Sequence, residues 1–133
     1  MKKNILYMVL VLSFALAACG SAKPANTPTT APANFPVGKF FKSGLTDYGL
    51  IFNKDGTFTV FNGSATIVSA TYKVDGNVFT ETSNNGGCAT NVNFNYVFDG
   101  KNLTFTYVGN PDDDSACAGR HTDFNSVTYT LSD

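Results

Sequence analysis

Apolar and polar residues alternate with a period of two through most of the second half of the chain. Val92, Phe94, Tyr96 and Phe98 alternate with Asn93, Asn95 and Val97, and Leu103, Phe105 and Tyr107 alternate with Thr104 and Thr106. Successive side chains of a strand point to opposite faces, so this pattern predicts strands with one buried and one wet face. Asp-Gly steps at Asp55-Gly56, Asp75-Gly76 and Asp99-Gly100 fall between such runs. A tight hairpin turn needs positive φ, which glycine tolerates, so each step predicts a hairpin. The spacing places strands over 38–42, 48–53, 57–62, 65–68, 70–74, 78–82, 92–98, 102–108 and 126–131. No helical period follows the first eighteen residues. Eight or nine short strands joined mostly by hairpins predict an all-β fold, a small antiparallel up-and-down β-barrel of about eight strands. Closure removes the exposed edges that an open meander would leave. A two-sheet sandwich is the alternative.

The amino-terminal pattern is different. Lys2 and Lys3 precede an almost wholly apolar run from Ile5 to Ala18, which ends in Leu16-Ala17-Ala18-Cys19. This is the layout of a secretory signal peptide over 1–18, and the run is too short for a helix of about 20 apolar residues to span a bilayer. The four residues resemble the lipobox of bacterial lipoproteins. That resemblance implies that Cys19 carries lipid, becomes the new amino terminus and is the membrane anchor. Two or three acyl chains hold firmly where one holds marginally. The address implied is the cell envelope, on the outer face of the plasma membrane or in the outer membrane, and Gly20 after the cysteine favours the outer one in a two-membrane cell. Residues 19–36 then place Pro24, Pro28, Pro32 and Pro36 among Ala, Thr, Asn and Ser. Proline at every fourth place excludes a helix. The segment reads as a flexible linker reaching on the order of 50 Å when extended, and 37–133 as one folded domain.

Charge and cysteines narrow the function. The chain of 133 residues carries nine basic and ten acidic side chains. Without Lys2 and Lys3 the balance is about −3, and no basic cluster exists to neutralise phosphates, so nucleic acid is excluded as a partner. With Cys19 committed to lipid, Cys88 and Cys117 form an even pair in an exported chain, which predicts one disulfide. His121 is the only histidine, beside Arg120 and Asp123, and no nucleophile matches it. The chain is therefore read as non-enzymatic, with no cofactor. Asp112, Asp113 and Asp114 lack the spacing of a calcium loop and read as a solvated acidic stretch partly paired with Arg120, so no metal is assigned.

Gly38-Lys39-Phe40, Phe52-Asn53-Lys54-Asp55-Gly56-Thr57-Phe58, the run from Tyr96 to Phe105, and Cys117-Ala118-Gly119-Arg120 together resemble the small lipocalin-like domains of bacterial lipoproteins. Lipocalins open with Gly-x-Trp and lay an arginine over that tryptophan to close one end of the barrel. Phe40 stands in the tryptophan's place and Arg120 precedes the last strand, so the resemblance implies that these two close the barrel. It also implies a calycin-type barrel that binds a ligand outside the cytoplasm, with no defined substrate. Phe52, Phe58, Phe94, Tyr96, Phe105, Tyr107 and Tyr129 are the candidate ligand-lining residues. An eight-stranded barrel either fills with side chains or holds one small ligand. Two readings follow: a binder of a small hydrophobic or amphipathic molecule, or an envelope-tethered protein-interaction or inhibitor module with a solid core. Ser69-Ala70-Thr71-Tyr72 echoes the plug of small barrel lipoproteins that inhibit lysozyme.

Overall fold

The computed structural model describes residues 31–133. The expected signal peptide, Cys19 and most of the expected linker lie outside these residues. Eight antiparallel strands form a meander: β1 (Phe40–Ser43), β2 (Tyr48–Phe52), β3 (Thr57–Asn62), β4 (Ala65–Asp75), β5 (Val78–Asn84), β6 (Val92–Phe98), β7 (Asn102–Val108) and β8 (Thr128–Leu131). Each strand pairs with the next, and β1 pairs with β8 through Phe41–Leu131, Lys42–Thr130 and Ser43–Tyr129. The sheet is thus a closed up-and-down barrel, as the alternation predicts, and not a sandwich.

Where the strands depart from the sequence expectation, local chemistry explains it. The segments 65–68 and 70–74 are one strand, because Ser69 does not break it: Asn85 holds the Ser69 N–H at 3.0 Å through its side chain and donates its own N–H to the Ser69 carbonyl. Register shifts at Val60/Phe61 and at Thr71/Tyr72 leave Ile67 of β4 and Thr82 of β5 without an opposite partner, a bulge in each of the two pairings of β4. β8 begins at Thr128, since Ser126 has a φ of 60° and donates to the Phe105 carbonyl rather than continuing the ladder. Between β7 and β8 the chain makes two short helical turns, Pro111–Cys117 and Arg120–Phe124. They are too short to show a helical period. Asn110 caps the first by accepting from the Asp112 N–H, and Pro111 sits where a missing N–H costs nothing.

The barrel has two unlike ends. At the floor, where the chain enters and where β2–β3, β4–β5 and β6–β7 connect, the interior is filled. The folded unit begins before residue 37: Phe35, in a turn closed by its N–H on the Pro32 carbonyl, is 4% exposed. Its ring packs edge-on against Phe52 and Tyr96, each 5.0 Å away, and near Tyr72 and Phe79. The tyrosine hydroxyls at this end are satisfied, Tyr72 donating to the Asn53 carbonyl and Tyr96 to that of Gly76. Burial, with Asp55 nearby, pushes the Tyr72 phenol up to about 12. Mid-barrel, Phe79, Phe94 and Phe105 are fully buried and meet at ring distances of 5.3 to 6.2 Å.

Candidate functional site at the barrel mouth

At the opposite end the interior is not filled. A cavity of about 230 Å³ opens there, with Phe58 and Val60 of β3, Val68 of β4, Tyr129 of β8 and Phe124 of the β7–β8 insertion as its apolar walls. Glu81, Arg120 and Asp123 stand at its polar edge.

The insertion forms the roof, and four of its attachments line the cavity. Phe124 reaches down into the barrel and stacks on Phe105 with ring centres 4.4 Å apart and planes 18° from parallel. Cys117 is bonded to Cys88 in the β5–β6 loop, with the Cα atoms 5.7 Å apart. The Tyr129 hydroxyl donates to the Asp123 carbonyl, and burial with the Asp123 charge nearby raises that phenol well above its ordinary value. The fourth attachment is Arg120. Its guanidinium donates to Glu81 Oε1 at 2.8 Å, to Asp114 Oδ2 at 3.0 Å and to the Ala89 carbonyl at 2.9 Å, so one side chain joins β5, the β5–β6 loop and the insertion.

This fork is buried: the Arg120, Glu81 and Asp114 side chains are 10%, 8% and 1% exposed. Burial lifts the Glu81 carboxyl above its usual range, and the neighbouring Arg120 opposes that shift. Two carboxylates share one guanidinium. Asp114 Oδ1 and both ring nitrogens of His121 are buried without a hydrogen-bond partner. The His121 ring lies edge-on to Tyr107 at 4.3 Å, with Nε2 4.0 Å from Asp114 Oδ2. Among the described residues no grouping of three or more His, Cys, Asp or Glu is arranged to hold a metal.

The sequence candidates separate into three groups. Cys88 and Cys117 are joined as expected and line the mouth, and Phe58 and Tyr129 line the cavity. Phe52, Phe94, Tyr96 and Phe105 belong to the packed core, and Tyr107 is a half-buried neighbour of Phe94 and His121. Phe40 and Arg120 do not close the barrel together. The Phe40 ring lies outside, over Gly49 and against Phe61, while Phe41 is the fully buried inward residue. A Cβ at Gly49 would come within 2.5 Å of the Phe40 ring, so the glycine is what lets that ring lie flat on the strand. Arg120 pairs instead with Glu81 and Asp114 at the mouth. Glu81 and Phe124 were not foreseen; the one signal for Phe124 is an aromatic residue inside an otherwise polar loop. Compared with protein-family models, curated proteins and solved structures, the chain matches none.

Proposed function

We propose that the chain is a lipid-anchored, extracytoplasmic lipoprotein whose lipocalin-like barrel binds a small hydrophobic or amphipathic molecule at its mouth, without catalysing a reaction. The anchor rests on Leu16-Ala17-Ala18-Cys19 following the apolar run, and the disulfide suits an exported chain. The observation that carries the binding reading is the cavity itself, with apolar walls and a few polar groups confined to one edge, the common design of a small-molecule site. An engineered cavity of about 150 Å³ takes up benzene, and this one is larger.

Native mass spectrometry of the full-length protein, released from membranes, tests the reading through retained small-molecule mass. Val68→Phe, which fills the cavity, should abolish both that mass and any thermal stabilisation by added ligand. A ligand at about 100 times its Kd stabilises a fold by about 2.7 kcal/mol. No retained mass, together with the same thermal behaviour for wild type and variant across a lipid and small-aromatic panel, refutes it. A protein-interaction role is the second reading, supported by Leu45, Ile67 and Val108, which are 76%, 43% and 44% exposed around the mouth. The anchor has its own test: Cys19→Ala should yield unprocessed protein without lipid mass, and normal processing with membrane retention would refute the assignment.

A further inference from the structure

Uncompensated negative charge is concentrated at one end of the barrel. The mouth connections carry Asp47, Asp112, Asp113, Asp114 and Asp123, with Glu81 just below them on β5. Arg120 is the only Lys or Arg in those connections, and Lys42 points outward from β1. The floor is balanced: Lys39, Lys54 and Lys101, with Lys73 near them on β4, face Asp55, Asp75, Asp99 and Asp133, and Lys39 sits 5.8 Å above the Phe98 ring.

Arg120 does not offset this charge for an incoming molecule. Both its terminal nitrogens are engaged by Glu81, Asp114 and the Ala89 carbonyl. Glu81 and Asp114 together exceed its single charge, and the Asp114 side chain, 1% exposed, leaves Oδ1 without a partner. Asp123 lines the cavity and makes no ion pair among the described residues. A low-dielectric cleft edged by one sign of charge concentrates ligands of the other sign. An anionic head would meet Asp123 and Glu81 with no free cation to receive it.

Resting on the cavity-binding reading, we infer that the ligand is a small cationic amphiphile: an apolar or aromatic body buried between Val60, Val68 and Phe124, with a protonated amine held at the Asp123 and Glu81 edge. Size agrees with this. At roughly 25 Å³ per non-hydrogen atom, the ratio set by benzene in its cavity, about 230 Å³ suits about nine such atoms, a phenyl ring with a short amine arm.

The test uses 2-phenylethylamine, 2-phenylethanol and phenylacetate as probes of closely similar size, titrated into the full-length protein by calorimetry and ligand-observed NMR. The amine should bind at least tenfold tighter than the alcohol, and the carboxylate weakest. Asp123→Asn should bring the amine-to-alcohol ratio close to one. Raising salt from 0.1 M towards 1 M, which shortens the screening length from about 10 Å to about 3 Å, should shrink the ratio as well. Amine and alcohol binding equally, or the carboxylate binding best, overturns the inference and leaves the cavity as a binding site. If none of the three binds, the inference falls, and the cavity-binding reading is then decided separately by the retained mass and the wider ligand panel.

Discussion

Replacing Arg120 by methionine isolates the fork that ties the roof to the barrel. Methionine keeps much of the side chain's length and apolar stem, so the change removes the charge and three hydrogen bonds while leaving most of the packing. Its main effect is on the partners left behind, Glu81 at 8% and Asp114 at 1% side-chain exposure. Stripping one member from a buried ion pair costs about 3–5 kcal/mol, because the remaining charge is neither solvated nor paired. A small domain has a total stability of about 5–15 kcal/mol, so the variant should unfold at a urea midpoint lower by roughly 2–3.3 M for a slope near 1.5 kcal/mol/M. The pH dependence supplies a sharper criterion. Glu81 already titrates above its unfolded value, and removing the opposing Arg120 raises it further. A carboxyl whose folded pKa is raised contributes stability that is full below the unfolded pKa and lost as pH rises through the folded one. The gap between wild type and Arg120→Met should therefore be widest at neutral pH and narrow on acidification towards the ordinary glutamate range. Adding Glu81→Gln to the variant should recover part of the loss at pH 7. Circular dichroism is the appropriate probe, since the chain has no tryptophan. A gap below about 1 kcal/mol, or one that does not change with pH, would refute the assignment of this fork as a buried structural clamp.

Phe105→Ala, at a fully buried ring under the Phe124 stack, should lower stability by about 3–5 kcal/mol in the same titration, and a loss under about 1.5 kcal/mol would mean the mid-barrel is not tightly filled. Thiol titration of the denatured, unreduced protein should find neither Cys88 nor Cys117 free; reduction should cost roughly 3–4 kcal/mol on the chain-entropy model, and an unchanged midpoint would refute the bridge's role. Asp99, which accepts from the Lys101 and Asn102 N–H groups and the Asn102 amide, is held below the usual carboxylate range, so its stabilisation is present above the unfolded value and lost as pH falls through the folded one. Asp99→Ala should accordingly melt lower than wild type at neutral pH and converge with it in acid; parallel melting curves across pH would contradict this.

The strands 57–62, 92–98 and 102–108 were legible to the residue, because largely alternating runs ended in turn-forming residues. The inward face was harder where two like residues adjoin. Phe40 and Phe41 fit either parity of a period-two pattern, and what decides between them is Gly49 on β2, whose bare backbone accepts the Phe40 ring from outside. Phe35 lay hidden in a proline-rich stretch whose composition describes a tether, although one turn at Pro32 suffices to drop its ring into the barrel. The disulfide was legible by count. The pairing of Arg120 with the acidic loop was legible too, and Asp114 meets it, although buried and not solvated; the Glu81 half was not, because Glu81 lies 39 residues away at an inward strand position, where the alternation rule expects an apolar residue. Long-range charge pairing leaves no period in a sequence.

The same asymmetry indicates where the cavity opens. Every attachment of the roof lies on the β5-to-β8 side: Glu81 on β5, Cys88 and Ala89 in the β5–β6 loop, Phe105 and Tyr107 on β7, Tyr129 on β8. The β3–β4 hairpin, which supplies Phe58, Val60 and Val68 to the opposite wall, is tied at its tip by the Gly63 N–H on the Asp47 carbonyl, a contact with the β1–β2 loop and not with the roof. The register also shifts between Val60 and Phe61 in this hairpin, and a bulge of that kind bends a strand and re-aims the side chains beside it. Ile67, 43% exposed, marks the rim there. A roof clamped along one side and unbonded along the other leaves a path to the cavity past Val60, Ile67 and Val68. A molecule entering that way passes apolar side chains first and meets Glu81, Asp123 and the clamped Arg120 only at the far edge. That order suits an amphiphile that enters with its polar end leading and comes to rest with its apolar body against β3 and β4.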